Sequence, residues 1–257
     1  MIPRFNSVTK HLPAIRGLSI PRRLYRKFLR KDALFRISDF DGDLHLDVDI
    51  GDLLGVELWH APDLYEKEER ALFCSAIKPG TVVLDVGANI GVFSLLAAKR
   101  GAKVFAIEAD PVNAQRFRNH LALNGFVGNV QVFEVAATHE PATLTLYRNP
   151  GNIGNSNLFS GASPVSVKGV TIDSLNLPPI DVCKMDTEGA ELNALLGMPE
   201  TIQRSPKMKL LIEYFAERQA SGELLKFLRN NFRQITVAGA GVLAGDPPER
   251  CNLWVHN

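Results

Sequence analysis

Asp85, Gly87, Gly91 and Glu108, followed downstream by Asp186 and Glu188, are the residues whose types and spacing point to chemistry. The glycines sit in Asp85-Val86-Gly87-Ala88-Asn89-Ile90-Gly91. A turn that tight needs backbone angles a Cβ disfavours, and a ligand approaches backbone closely only where side chains are missing. Glu108 follows Gly91 by 17 residues. In a strand–helix–strand unit, an acidic residue there accepts hydrogen bonds from ribose hydroxyls. Asp186 and Glu188 add two carboxylates, one of which can take a proton from an attacking hydroxyl. Asp186 is also suited simply to cap a helix. The combination predicts a nucleoside-bearing ligand held beside a proton acceptor.

Those residues need elements that deliver them to one place. Residues 82–85 read as a buried strand, 92–98 as the helix that follows at once, and 103–107 as the next strand, ending at Glu108. Asp110-Pro111 marks a helix start, Ala114, Phe117 and Leu121 share its inner face, and Asn124-Gly125 ends it. Residues 130–137 read as a third strand. Its small last residues, Ala136 and Ala137, leave room for an adenine ring or pack tightly against a helix. Strands at 142–147 and 165–172 flank a polar Asn-, Gly- and Ser-rich stretch, 149–157, expected to be a substrate-facing loop or a plain connection. A fourth strand at 180–185 presents Asp186 and Glu188, a fifth spans 207–214, and 234–238 with 252–256 closes the sheet. The expected fold is α/β and Rossmann-like, with a mostly parallel seven-stranded sheet and an antiparallel edge strand.

The glycine spacing separates two cofactor classes. Dinucleotide sites use three glycines in G-x-G-x-x-G so that a pyrophosphate sits on the helix N-terminus. Here the spacing is G-x-x-x-G, with Asn89 inside it, which suits a ligand without phosphate such as S-adenosylmethionine. Asp85-Val-Gly87-Ala-Asn89-Ile-Gly91, Glu108-Ala-Asp110-Pro111, Asn119, Asn124-Gly125 and Lys184-Met-Asp186-Thr-Glu188-Gly189-Ala-Glu191 together resemble the FkbM-type S-adenosylmethionine-dependent methyltransferases, over about residues 60–215. The resemblance implies a class I methyltransferase that acts on hydroxyls of sugars, glycolipids or secondary metabolites. It also implies that a Tyr-Glu pair, here Tyr65 and Glu66, closes over the cofactor. The expected cofactor-binding residues are Tyr65, Glu66, Asp85, Gly87, Asn89, Gly91, Glu108, Ala136 and Ala137, with Asp186 and Glu188 catalytic. A nucleotide-cofactor oxidoreductase and an inactive cofactor-binding module are the rival readings. A Mg²⁺ held by Asp186, Glu188 or Glu213 is left open.

Bulk properties are compatible with this. The 257 residues, 46% hydrophobic, suffice for one sizeable core, and three scattered cysteines predict neither a disulfide framework nor a zinc site. With no apolar run of ~18 residues and no leader-like start, a soluble, cytoplasmic protein is expected. The net charge of +1 hides an asymmetry: residues 1–36 carry ten Lys or Arg against Asp32, and 37–70 carry eleven Asp or Glu against Lys67 and Arg70. The basic helical arm at 22–31 is read as a solvated helix face, as a peripheral membrane contact, or as the partner of the acidic stretch. Nucleic acid is not expected as a partner. Asp41-Gly42 between alternating runs predicts a β-hairpin covering one side of the site. Residues 1–60 are therefore expected as an N-terminal extension and 61–257 as the methyltransferase domain.

Overall fold

The computed structural model describes residues 34–148, 163–217, 221–243 and 245–257. The basic arm and the polar stretch at 149–157 lie outside the described residues. β1 (Leu34–Phe40) and β2 (Leu44–Asp49) form the hairpin, antiparallel as expected, with Asp41 and Gly42 both in the left-handed region at φ 49° and 98°. Short helices α1 (Leu53–His60) and α2 (Lys67–Ser75) lead into β3 (Val82–Val86), α3 (Val92–Lys99), β4 (Lys103–Ile107), α4 (Pro111–Asn124) and β5 (Val130–Phe133). After β6 (Ala136–Ala137), β7 (Ala142–Arg148) and β8 (Ser163–Val170) come β9 (Val182–Met185), α5 (Glu191–Leu196), α6 (Pro199–Arg204), β10 (Lys209–Phe215), α7 (Ser221–Asn231), β11 (Gln234–Val237), β12 (Gly241–Val242) and β13 (Arg250–His256).

The main sheet has eight strands in the order β12-β11-β13-β10-β9-β3-β4-β5. β10, β9, β3, β4 and β5 are parallel, and β13 runs antiparallel to β10 and β11 on either side of it. Two expectations are corrected here. The sheet has eight strands rather than seven, because the two-residue β12 adds an antiparallel edge strand outside the closing pair of β11 and β13. The run at 130–137 is two strands: β5 ends at Phe133 on the sheet edge, and Ala136–Ala137 turns away to pair with Gly169–Val170 in a second sheet, ordered β6-β8-β7.

One apolar cluster on one side of the main sheet unites Phe73, Leu95, Leu96 and Phe117 with the hairpin residues Ile37, Phe40, Leu46 and Val48. The other side holds Leu195, Leu224, Leu228 and Ile172. The hairpin is also held by polar clamps to α4. His45 donates its N–H to Asn124 Oδ1 at 2.8 Å, and Asp47 donates to His120 Nε2 at 3.0 Å. His120 Nδ1 then donates to the Ile90 carbonyl at 2.8 Å, which ties the hairpin to the glycine turn. No hairpin residue lines the cleft described next, so the hairpin supports the turn rather than walling the site.

Candidate active site

The parallel strands end along one rim, as open α/β sheets require of a ligand site. A cleft of about 890 Å³, its open mouth included, runs along that rim. From the β9 side to the β5 side its lining includes Asp186, Thr187 and Glu188, then Gly87 to Ile90, then Glu108 and Ala109, then Val135 to Ala137, with Tyr65, Phe93, Asn113, Leu146 and Lys184 among the others. Tyr65, Gly87, Asn89, Glu108, Ala136, Ala137, Asp186 and Glu188 are thus brought together as expected. Glu66, Asp85 and Gly91 do not line the cleft.

The glycines earn their place for a reason the sequence does not display. A Cβ on Gly87 would overlap the Asp186 carbonyl, and one on Gly91 would overlap the Phe117 ring; both residues have positive φ, 76° and 89°. Gly87 lets the end of β9 pass close to the turn, and Gly91 seats α4 against α3. Close approach is required by the protein's own elements, not only by a ligand. Asn89, with φ 53°, is not glycine yet occupies the same left-handed region, and its backbone N–H donates to Glu108 Oε2 at 2.7 Å. Asp110 donates its N–H to Glu108 Oε1 at 2.8 Å. Glu108 is therefore fixed by two backbone donors, while burial pushes its carboxyl up to about 7.

Lys184 is the residue the sequence reading quoted without assigning a role. It is partnered with Asp85 in parallel register, so both side chains leave the same face of adjacent strands. Its Nζ lies 3.2 Å from Asp186 Oδ2 and 5.1 Å from the Phe93 ring centroid, with its side chain only 10% exposed. Burial opposes that charge, but Asp186, Asp85 and Glu66 outweigh it and raise the lysine well above its ordinary value. Asp85 is a buried carboxylate that receives Ser94 Oγ at 2.6 Å, and burial raises it. Burial and the nearby Asp186 charge push Glu66 up to about 7, against the pull of Lys184. Its neighbour Tyr65 is raised by burial and by Glu66. Glu66 and Asp85 thus act behind the cleft wall, as counter-charges of Lys184. A lone lysine in the otherwise apolar run Val182–Met185 is the available signal.

Asp186 does not cap α5. The N-cap position is Ala190, and Glu191 takes the turn's donors: Thr187 N–H at 2.9 Å, Gly189 N–H at 3.0 Å and Thr187 Oγ1 at 3.2 Å. Asp186 is left to Lys184, and its Oδ1 is buried without a partner. Carboxylate oxygens of Asp186, Glu191 and Glu213 lie within 4.8 Å of one another. Glu191 is also bound to the turn and Glu213 to Arg250 at 3.2 Å, so each of the three carboxylates has a protein partner as well as one oxygen to offer a cation; Glu188 is not in the group.

Among the described residues five buried side-chain polar atoms have no partner, and those of Asn89, Asn113 and Asp186 belong to cleft-lining residues. Three of the five non-glycine residues with positive φ, Glu66, Asn89 and Glu188, also belong to the segments around the cleft. Unsatisfied atoms and strained backbone are costly, and their concentration at one cleft is a mark of function. Orphaned polar atoms on residues of the same cleft as Glu108, and the small apolar residues Ala136 and Ala137, fit an adenosyl ligand.

Comparison with known proteins agrees with the geometry. The hexuronic acid methyltransferase AglP of Haloferax volcanii is 26% identical over 152 residues, 57% of this chain and 62% of AglP. The 2-O-methyltransferase NoeI of Sinorhizobium fredii is 26% identical over 183 residues, 62% of this chain and 73% of NoeI. Most curated relatives are matched over less than two thirds of their own length. A Pyrococcus horikoshii protein assigned as a transferase shares the fold, with TM-score 0.50 at 14% identity, over 87% of this chain and 71% of that one. The Methyltransferase FkbM domain profile matches residues 85–234, more than half of the 257, and the chain belongs to that family.

Proposed function

We propose that this chain transfers a methyl group from S-adenosylmethionine to a hydroxyl oxygen of a sugar, glycolipid or secondary metabolite. The observation that carries this is the Asp186–Lys184 pair at the end of β9, set in the same cleft as Glu108. When bound, the cofactor supplies an electrophilic methyl group with its own leaving group. The protein's work is then to position both reactants, exclude water and take a proton.

Each part of that work has a residue. Glu108, pinned by the Asn89 and Asp110 N–H groups, retains lone pairs for ribose hydroxyls. Val135, Ala136, Ala137 and Leu146 form the apolar wall for a flat heterocycle. Asp186, anchored through Oδ2 by Lys184, offers a carboxylate to the acceptor hydroxyl and receives its proton. Glu188, lining the same end, borders the acceptor. The names of AglP and NoeI support a sugar-type hydroxyl acceptor. No helix among the described residues is long and apolar enough to cross a membrane.

The test is transfer of labelled methyl from S-adenosylmethionine to a panel of uronic acids, neutral glycosides, lipid-linked sugars and hydroxylated metabolites, with the linkage read by mass spectrometry. An O-methyl product is expected. Label found only on nitrogen, or tighter binding of NAD than of S-adenosylhomocysteine, overturns the reading.

A further inference from the structure

Asn113 has no role in the account above, yet it is the cleft's most deeply placed amide. It is 2% exposed, lines the cleft, and its Oδ1 has no hydrogen-bond partner. A buried carbonyl without a donor is a standing cost that native structures rarely keep without a reason. Its position is fixed with care: Asp110 caps α4 through the Val112 N–H at 2.8 Å, Pro111 opens the helix, and Arg148 holds Asp110 through Nε at 2.8 Å. The first turn of α4 is thereby locked beside Glu108.

The order of the strands says which part of a ligand lies there. Asp186 marks the β9 end of the cleft and Glu108 its middle, while Ala109, Val135, Ala136, Ala137 and Leu146 line the β4–β5 side. With the reacting end at Asp186 and the ribose at Glu108, the heterocycle falls in this apolar slot. Asn113, in the first turn of the helix that follows β4, lines the same cleft. A carboxamide offers one acceptor and two donors, which match an amino group and an adjacent ring nitrogen.

We propose that Asn113 reads the amino-bearing edge of adenine, its carbonyl accepting from the 6-amino group and its amide donating to a ring nitrogen, and so makes the site selective for an adenosyl cofactor. This rests on the proposed use of S-adenosylmethionine. A site built to hydrogen-bond a group discriminates strongly against the analogue that lacks it, because its own polar atom is then left unpaired.

The test is calorimetric binding of S-adenosylhomocysteine and of its analogue with hydrogen in place of the 6-amino group. The full chain is compared with Asn113→Leu and Asn113→Ala, and folding of each variant is checked by circular dichroism and thermal unfolding. Wild type is expected to prefer the amino compound by about tenfold or more, and both variants to bind it about tenfold more weakly with the preference reduced to within about threefold. An undiminished preference in either folded variant overturns the proposal. So does complete loss of binding by folded Asn113→Ala, which exceeds what one recognition contact accounts for. If wild type binds neither compound, the cofactor reading falls and this inference with it; if wild type binds both equally, this inference alone falls.

Discussion

Lys184 Nζ stands 3.2 Å from Asp186 Oδ2, on the same sheet face as Asp85, its register partner on the neighbouring strand. One buried cation therefore serves three carboxylates, those of Asp186, Asp85 and Glu66. Removing one partner of a buried charge cluster is far more costly than the cluster's net worth, because it leaves the others uncompensated. Lys184→Met should lower stability by about 3 kcal/mol or more at pH 8. Asp85 and Glu66, both raised by burial, are protonated more fully at lower pH, so the loss should shrink at pH 5. Chemical denaturation at the two pH values measures it. An equal loss at both would remove the charge explanation.

Asp186→Asn separates the proton acceptor from the scaffold. The side chain bonds Lys184 and no helix N–H group, and Glu191 holds the turn. The amide keeps an oxygen for Lys184 but does not accept a proton. Asp186 is 26% exposed and Asp85 and Glu66 remain to offset Lys184, so unlike loss of the lysine this change is expected to keep stability within about 1 kcal/mol, while single-turnover methyl transfer falls by about 10²-fold or more. Near-normal turnover would transfer the role to Glu188. His139 lies outside the cleft with Nδ1 at 2.5 Å from Asn193 Oδ1 and is not placed to take that role.

Gly91→Val should act on folding before it acts on ligand binding. From sequence alone the substitution is expected to block the cofactor and spare the fold; the structure reverses this, since the added Cβ meets Phe117, a fully buried residue of the core. Overpacking and a φ of 89° together should cost about 3 kcal/mol or more. Thermal unfolding of Gly91→Ala alone and with Phe117→Ala tests the cause: the double variant should be less destabilised than the sum of the singles.

Glu108 makes the ligand-free protein sensitive to pH. Its carboxyl titrates near 4.5 when unfolded and at about 7 when buried, so the folded state holds the proton more tightly. The stability this contributes is fully present below the unfolded value and is lost as pH rises through about 7, by up to about 3 kcal/mol. Glu108→Gln removes the titration, so its thermal stability relative to wild type should improve from pH 5 to pH 8. Ribose hydroxyls favour the ionised form, so wild-type affinity for S-adenosylhomocysteine should rise over the same range and the variant's should not. A constant difference between the two proteins across that range would show that Glu108 does not titrate there.

The order of elements, the glycine turn, the acidic residue ending β4 and the carboxylates ending β9 were legible because each is encoded locally: strand and helix periods, an Asp-Pro start, an Asn-Gly stop and motif spacing lie within a few residues of one another. The chain alone also carried the family resemblance. Tertiary structure decided what depends on residues far apart in sequence. Gly91 is glycine because of Phe117, Gly87 because of Asp186, and Asp186 is free of capping because Glu191 takes the turn. The interior place of β13 and the break between β5 and β6 follow from pairing partners that no local pattern names. Lys184 and Asn113 gain meaning only from burial, since a lysine in a strand and an asparagine in a helix are ordinary until the surrounding atoms show which charges and which unpaired carbonyl have been taken out of water.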